Sequence, residues 1–155
     1  MKITAQEEYG LRCLMQLVQA DPQQGLTVKE VAGREGLSSA YVEKLLRLLA
    51  KAGIIHSVRG VHGGYLLSRK PGEISLGQVV AALGSLPSTE EICDRHPGNR
   101  VSCVHIDDCC IRSAWATLTD AIYGFMEKVH LSDLVGTVKE IRQSLQQRIT
   151  TSFSV

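Results

Sequence analysis

The chain has 155 residues, of which 44% are hydrophobic and 21% charged, with a formal net charge of +1. That usage excludes wholesale disorder, and no run of about 18 apolar residues exists to span a membrane. Residues 1–8 show no apolar core of a secretory signal, so the expected location is cytoplasmic, with reduced thiols and no membrane partner.

The small net charge hides an asymmetry. Residues 1–85 hold ten Lys and Arg against seven Asp and Glu, while 86–155 hold seven against nine. The window 29–70 is the most basic, with eight cationic and three anionic residues plus His56 and His62. A basic stripe in the first half suits an anionic partner such as nucleic acid.

In chain order, Tyr9, Cys13, Leu14, Leu17 and Val18 recur at helical spacing and predict a helix over 5–20, stopped by Asp21-Pro22. Cys13 falls on its apolar face and reads as a small core residue. Thr27-Val-Lys-Glu30 is a capping box that opens a short helix ending near Gly36. Leu37-Ser38-Ser39 is a turn, and a second helix follows over about 40–52 with Gly53 as its stop. Two short helices joined by such a turn form a helix-turn-helix pattern. Residues 53–58 and 65–69 then read as strands around Arg59-Gly60-Val61-His62-Gly63-Gly64. A hairpin directly after a recognition helix is a wing. Its glycines permit close approach to a sugar-phosphate surface, and Arg59 at the tip suits a minor groove.

Ser75 caps a predicted helix over 76–84. Residues 85–110 read as a polar loop of about 25 residues, too long to lack a task in a compact domain. The stretch 111–129, with Trp115, Leu118, Ile122, Phe125 and Met126, predicts a helix about 30 Å long whose apolar stripe serves a dimer. Ser132 is expected to cap a last helix through Val138, Ile141 and Leu145, with fraying from 149 onward.

Four of the five cysteines crowd into Cys93-x9-Cys103-x5-Cys109-Cys110. Thiolates on one loop suit soft metals: an iron–sulfur cluster, or zinc. Structural zinc favours ligand pairs two to four residues apart. The wide, uneven spacing here tilts toward a cluster, with zinc and redox thiols as alternatives. Adjacent Cys109 and Cys110 do not suit one site together. His96 and His105 read as solvated loop residues.

Four stretches carry a family resemblance: Met1-Lys2-Ile3-Thr4; Ser38-x-x-Tyr41-Val42-Glu43-Lys44-Leu45; Arg59-Gly60-x-x-Gly63-Gly64-Tyr65-x-Leu67; and three spaced cysteines before a long helix. Over nearly its full length the chain resembles the iron–sulfur winged-helix transcription regulators that include IscR and NsrR, with IscR-like members nearest. The resemblance implies a mainly α fold with a small β-hairpin: a winged helix-turn-helix domain over 1–85, a cluster-binding loop over 86–110, and a dimerisation helix with a C-terminal helix over 111–155. It implies a homodimer that exchanges C-terminal helices, binds palindromic double-stranded operator DNA and carries a cluster, [2Fe-2S] favoured over [4Fe-4S]. It implies a regulator rather than an enzyme, serving cluster biogenesis or a related stress response. A nitric-oxide-sensing [4Fe-4S] repressor and a zinc or thiol regulator are the alternatives.

Carried over by position, the ligands are Cys93, Cys103 and Cys109, with Cys110 alternate to Cys109. The chain departs from the pattern twice. The first gap is nine residues rather than the commoner five, and Arg112 stands where IscR-like members place a histidine. A carboxylate near the start of the first helix, supplied by the partner subunit in NsrR-like members, matches Glu8; His105, Cys110 and Glu7 are the other candidates. On the recognition helix, Ser38, Ser39, Tyr41, Glu43 and Lys44 occupy the N-terminal part that reaches bases. Glu43 can accept from cytosine N4, while Tyr41 and Lys44 can touch phosphate. Arg59, Gly60, Gly63 and Gly64 serve the minor groove.

Overall fold

The computed structural model describes residues 3–60, 63–84 and 89–153. Seven α-helices and one two-stranded sheet follow in the order α1 (Ala5–Val18), α2 (Val28–Glu35), α3 (Ser39–Lys51), β1 (Ile55–Val58), β2 (Gly64–Leu67), α4 (Leu76–Leu83), α5 (Thr89–Arg95), α6 (Cys110–Lys128) and α7 (Val138–Phe153). Short 3-10 turns occupy Pro71–Glu73 and Leu131–Leu134. The fold class is as expected: mainly helical with one antiparallel hairpin.

Capping explains where the helices begin. Thr4, Thr27 and Ser75 each accept from the amide three residues on, while Glu7, Glu30 and Gln78 reach back to the cap's own N–H. Each such box satisfies two donors that a helix start leaves open. Glu30 is held below the usual carboxylate range by its hydrogen bonds from Thr27. Gly36 ends α2 in the left-handed region (φ 67°), which lets the chain turn into α3 without a Cβ clash. Ser38 caps α3 through the Tyr41 amide at 3.3 Å.

The apolar stripes of α1, α2, α3 and α4 meet in one core. Leu14, Leu45, Leu46, Leu49, Ile74 and Leu83 are fully buried there. Cys13 is also fully buried, as its place on the stripe predicts, and burial pushes its thiol pKa up to about 11. The hairpin pairs Ile55 with Leu67 and Val58 with Gly64. Leu26 adds a bridge to Tyr65 on the other side of β2, with amide-to-carbonyl distances of 3.1 and 2.9 Å. The wing is therefore fastened to the segment just before the helix-turn-helix.

Three expectations are corrected downstream of the wing. The stretch 85–110 is not an unstructured loop, since α5 forms within it. Thr137, not Ser132, caps the last helix: its hydroxyl accepts from the Glu140 amide, and the Glu140 carboxylate accepts from Thr137. Ser132 instead lies in the 3-10 turn, and α7 continues to Phe153 without fraying at 149. Both helix starts were obscured by polar runs in which several residues had capping chemistry.

The C-terminal part is not detached from the winged domain. Val129 and Leu131 are fully buried. The Leu131 amide donates to Ile74 O at 3.0 Å, and the Leu76 amide donates to Val129 O at 2.7 Å. Ser75, the α4 cap, also donates its hydroxyl to Glu127 at 2.7 Å. The far end of α6 is thus built into the base of α4, and α4 packs on α3.

Candidate functional site

The first half of α3 is a polar, accessible surface. Ser38, Ser39 and Lys44 are exposed, and Glu43 is half-buried. Glu43 accepts from Arg47 at 2.5 Å, one helical turn away. Arg47 was not singled out by the sequence, although an i,i+4 acid–base pair on a basic helix was visible there. Tyr41 is half-buried, with its ring edge-on to Tyr9 at 6.1 Å and 82°. Arg12 stands over the other ring of this pair, 5.5 Å from the Tyr9 centroid, and also binds the nearly buried Glu35 at 2.7 Å. Tyr41 therefore fixes the angle of α3 against α1 as well as facing outward.

At the wing, Arg59 and Gly60 are exposed at the start of the turn. Val61 and His62 lie outside the described residues. Gly63 donates its amide to Gly60 O at 2.9 Å, and a Cβ there would stand 2.6 Å from Val58 O. The wing glycines thus have structural reasons of their own.

The cysteines are placed by three different segments. Cys93 is on α5, Cys103 opens a turn in which the Ile106 amide donates back to its carbonyl at 3.2 Å, and Cys109 is the cap residue of α6. All three are half-buried, whereas Cys110 is exposed. Cys110 lines a shallow apolar groove on α6 with Ile111, Ala114, Trp115 and Leu118. The three half-buried thiols share Arg112. It hydrogen-bonds Cys93, and Cys109 and Cys103 lie close enough to act on its charge; together these contacts raise its pKa above the ordinary guanidinium value. Its Nη2 donates to Ile106 O. Its Nε is buried with no acceptor.

Among the described residues no three His, Cys, Asp or Glu side chains stand together in a metal-binding arrangement. Glu8 belongs to another neighbourhood, exposed at the rim of an apolar groove of about 300 Å³ between α1, α4 and α6, with Leu11, Leu83, Ile122 and Phe125. Glu7 is committed to the α1 capping box. Within one chain, then, the structure gathers Cys93, Cys103 and Cys109 about Arg112 and leaves Glu8 elsewhere. The donor set fits a soft metal group: three thiols from three segments, and a buried N–H lacking the acceptor that anionic sulfur would provide.

The α6 helix is amphipathic with its N-terminal half uncovered. Ile111, Trp115 and Leu118 are 61%, 48% and 54% exposed, while Met126 near the other end is buried. A second apolar groove runs along α7 beside Val138, Ile141, Leu145 and Ile149. No helix among the described residues is long and apolar enough to cross a membrane.

Comparison with known proteins agrees with this arrangement. The family described as "Rrf2: Iron-dependent Transcriptional regulator" matches residues 3–137. Protein rrf2 of Nitratidesulfovibrio vulgaris is 36% identical over 135 residues, covering 87% of each chain. The HTH-type transcriptional regulator IscR of Pectobacterium atrosepticum is 30% identical over 141 residues, 91% of this chain and 82% of that one. Among solved structures, T. potens IscR superposes with a TM-score of 0.69 at 27% identity, covering 87% of this chain and 86% of that one. CymR, the global cysteine regulator of B. subtilis, gives 0.68 at 27% identity, covering 86% and 95%.

Proposed function

The chain belongs to the Rrf2 family of DNA-binding transcriptional regulators, which are not enzymes, and from that premise we propose that an iron–sulfur cluster governs its operator binding. The ligands are Cys93, Cys103 and Cys109, with Glu8 of the partner subunit as the fourth. The observation that carries this reading is the approach of three half-buried thiols, from three segments, to one guanidinium. The IscR relatives support the cluster, and within that likeness [2Fe-2S] is preferred to [4Fe-4S]. The absence of a complete ligand set within one chain agrees with a fourth donor from a second subunit.

A bound cluster would supply iron that responds to oxidants, iron supply or nitric oxide. The chain's own residues convey the response. Cys109 caps α6, whose far end is fixed by Glu127 to Ser75 and by Leu131 to the core beneath α4 and α3. Reorienting the first turn of α6 therefore bears on the reading head through one stiff rod about 28 Å long. Such coupling requires that the two DNA-binding states differ in affinity for the cluster.

On the operator, Ser38, Ser39, Glu43 and Lys44 present the first half of α3 to the major groove, and Tyr41 sets its pose. Arg59 and the wing glycines Gly60, Gly63 and Gly64 approach the minor groove. A palindromic site follows from a homodimer built on the uncovered halves of α6.

The deciding experiment is an anaerobic visible spectrum with iron, sulfide and zinc assayed on the same sample, then operator binding with and without the cluster. Equal iron and sulfide at two per chain supports the reading. Four per chain turns it toward the nitric-oxide-sensing alternative. A colourless protein holding zinc, or nothing, overturns the cluster.

A further inference from the structure

We propose that Arg112 is a positioning residue of the cysteine site: its guanidinium ties the Cys103 turn to the Cys93 helix and holds a fixed positive charge against the ligands, easing addition of an electron there. The tie stands on the chain alone; the electronic part rests on the cluster reading above.

The geometry is a three-way junction. Arg112 lies in the first turn of α6, three residues after Cys109. One arm of its fork donates to Ile106 O, inside the turn that Cys103 opens. Another contact reaches Cys93, where α5 ends. The planar fork joins two acceptors at once, which a lysine ammonium on its flexible stem does not reproduce.

The electrostatic part follows from what surrounds the group. Three thiolates and a carboxylate form a strongly anionic set, and an added electron deepens that charge. A guanidinium does not release its proton in proteins, so its charge is constant across the working pH range. Other cations of the region are placed differently: Arg95 faces Glu91 at 3.6 Å, and Arg100 is exposed. The buried Nε, lacking an acceptor, is a donor aimed at a site that gains acceptors when its sulfurs are anionic. Arg112 thus occupies the histidine's sequence position in IscR-like members without being a ligand, and it contributes charge where that histidine contributes a bond.

The test compares Arg112→Gln and Arg112→Lys with the unaltered full chain in two measurements. In cluster-free protein, amide hydrogen exchange over 93–109 should quicken in both variants, because neither retains the fork. In reconstituted protein, an electrochemical titration delivers one electron per cluster with no bond made or broken. Arg112→Gln should lower the midpoint, disfavouring reduction by about tenfold (~59 mV for one electron), and Arg112→Lys should restore most of the difference. A midpoint unmoved in Arg112→Gln overturns the electrostatic role, and unaltered exchange in both variants overturns the tie. Failure of the unaltered chain to take up iron and sulfide overturns the cluster reading and the electrostatic role together, and the exchange data then judge the tie by themselves. Circular dichroism of both variants checks that the helices are intact.

Discussion

Gly64 lies directly against the backbone of Leu26. A Cβ on Gly64 would stand 2.6 Å from both the carbonyl carbon and oxygen of Leu26, and one on Gly25 would stand 3.1 Å from the Gly64 carbonyl carbon. The two strands of backbone are pressed together by the Leu26–Tyr65 bridge. The most specific motif in the sequence, Gly63-Gly64-Tyr65, is therefore at least as much a fastening of the wing as a surface for DNA.

Gly64→Ala must displace backbone rather than a side-chain tip, at a φ of +156°. The expected cost is about 1–3 kcal/mol, read as a lower midpoint in thermal melting with fewer amides protected at 26 and 65. An unchanged melting curve would show that the strands can part freely. Gly60→Ala is the contrast: nothing lies within 4 Å of its Cβ, and only its φ of +119° resists the change.

On α3, Glu43→Ala removes the Arg47 partner and the acceptor offered to a cytosine. The expected result is relaxed preference at one base pair, worth about 1–3 kcal/mol of discrimination. Lys44→Ala should weaken every sequence alike and reduce the salt slope by about 1. Binding curves for operator and scrambled duplex at three salt concentrations separate the two. Equal losses on both duplexes in Glu43→Ala would remove direct readout by that residue.

Much of this was legible in the sequence because the signals were local. Thr27-x-x-Glu30, Gly36, Ser38 and Gly53 fix four helix ends through short-range hydrogen bonds and φ alone. The role of Arg112 was not legible. Its partners, Cys93 and Ile106, come from segments whose approach depends on α5, and α5 lacks the apolar periodicity that would have announced it. Glu127 is similar: nothing in its neighbours says that it will meet Ser75, fifty-two residues away. Thr137 was missed because Ser132 offers the same capping chemistry five residues earlier, and only the buried Leu131 decides between them.

The five thiols should divide by environment. Cys13 is fully buried and its pKa of about 11 keeps it protonated, so a thiol reagent at neutral pH should label four cysteines and spare the fifth. The same shift sets a pH effect on stability. Unfolded, the thiol ionises near its ordinary value of 9.0; folded, it does so near 11. Between those values the unfolded chain binds fewer protons, so stability falls as pH rises from about 9 toward 11. In Cys13→Ala this part of the alkaline decline should disappear, at the expense of some core packing.

Among the loop thiols, Cys93→Ala, Cys103→Ala and Cys109→Ala should each abolish stable cluster uptake, whereas Cys110→Ala should retain it. Cys110 is exposed on the apolar side of α6, away from the junction about Arg112. Iron and sulfide content after identical reconstitution measures this. A Cys110 variant that fails, beside a Cys109 variant that succeeds, would exchange their assignments.

The uncovered face of α6 makes the last prediction. Ile111, Trp115 and Leu118 are one turn apart and largely exposed, and each is worth about 1.5–3 kcal/mol when buried. A two-fold interface uses each position twice. Trp115→Glu removes about 2 kcal/mol at each copy, by the scale of aromatic anchors, for a total near 4 kcal/mol and a dimer Kd raised roughly a thousandfold. Val104 is 60% exposed but lies on the loop rather than on this face, so Val104→Glu should leave the dimer intact. Light scattering across a concentration series distinguishes the two variants. If the fourth ligand comes from the partner, Trp115→Glu should also lose its cluster at concentrations where it is monomeric and regain it as the dimer re-forms. Cluster retention by the monomer would place all four donors within one chain and would remove Glu8 of the partner subunit from the site.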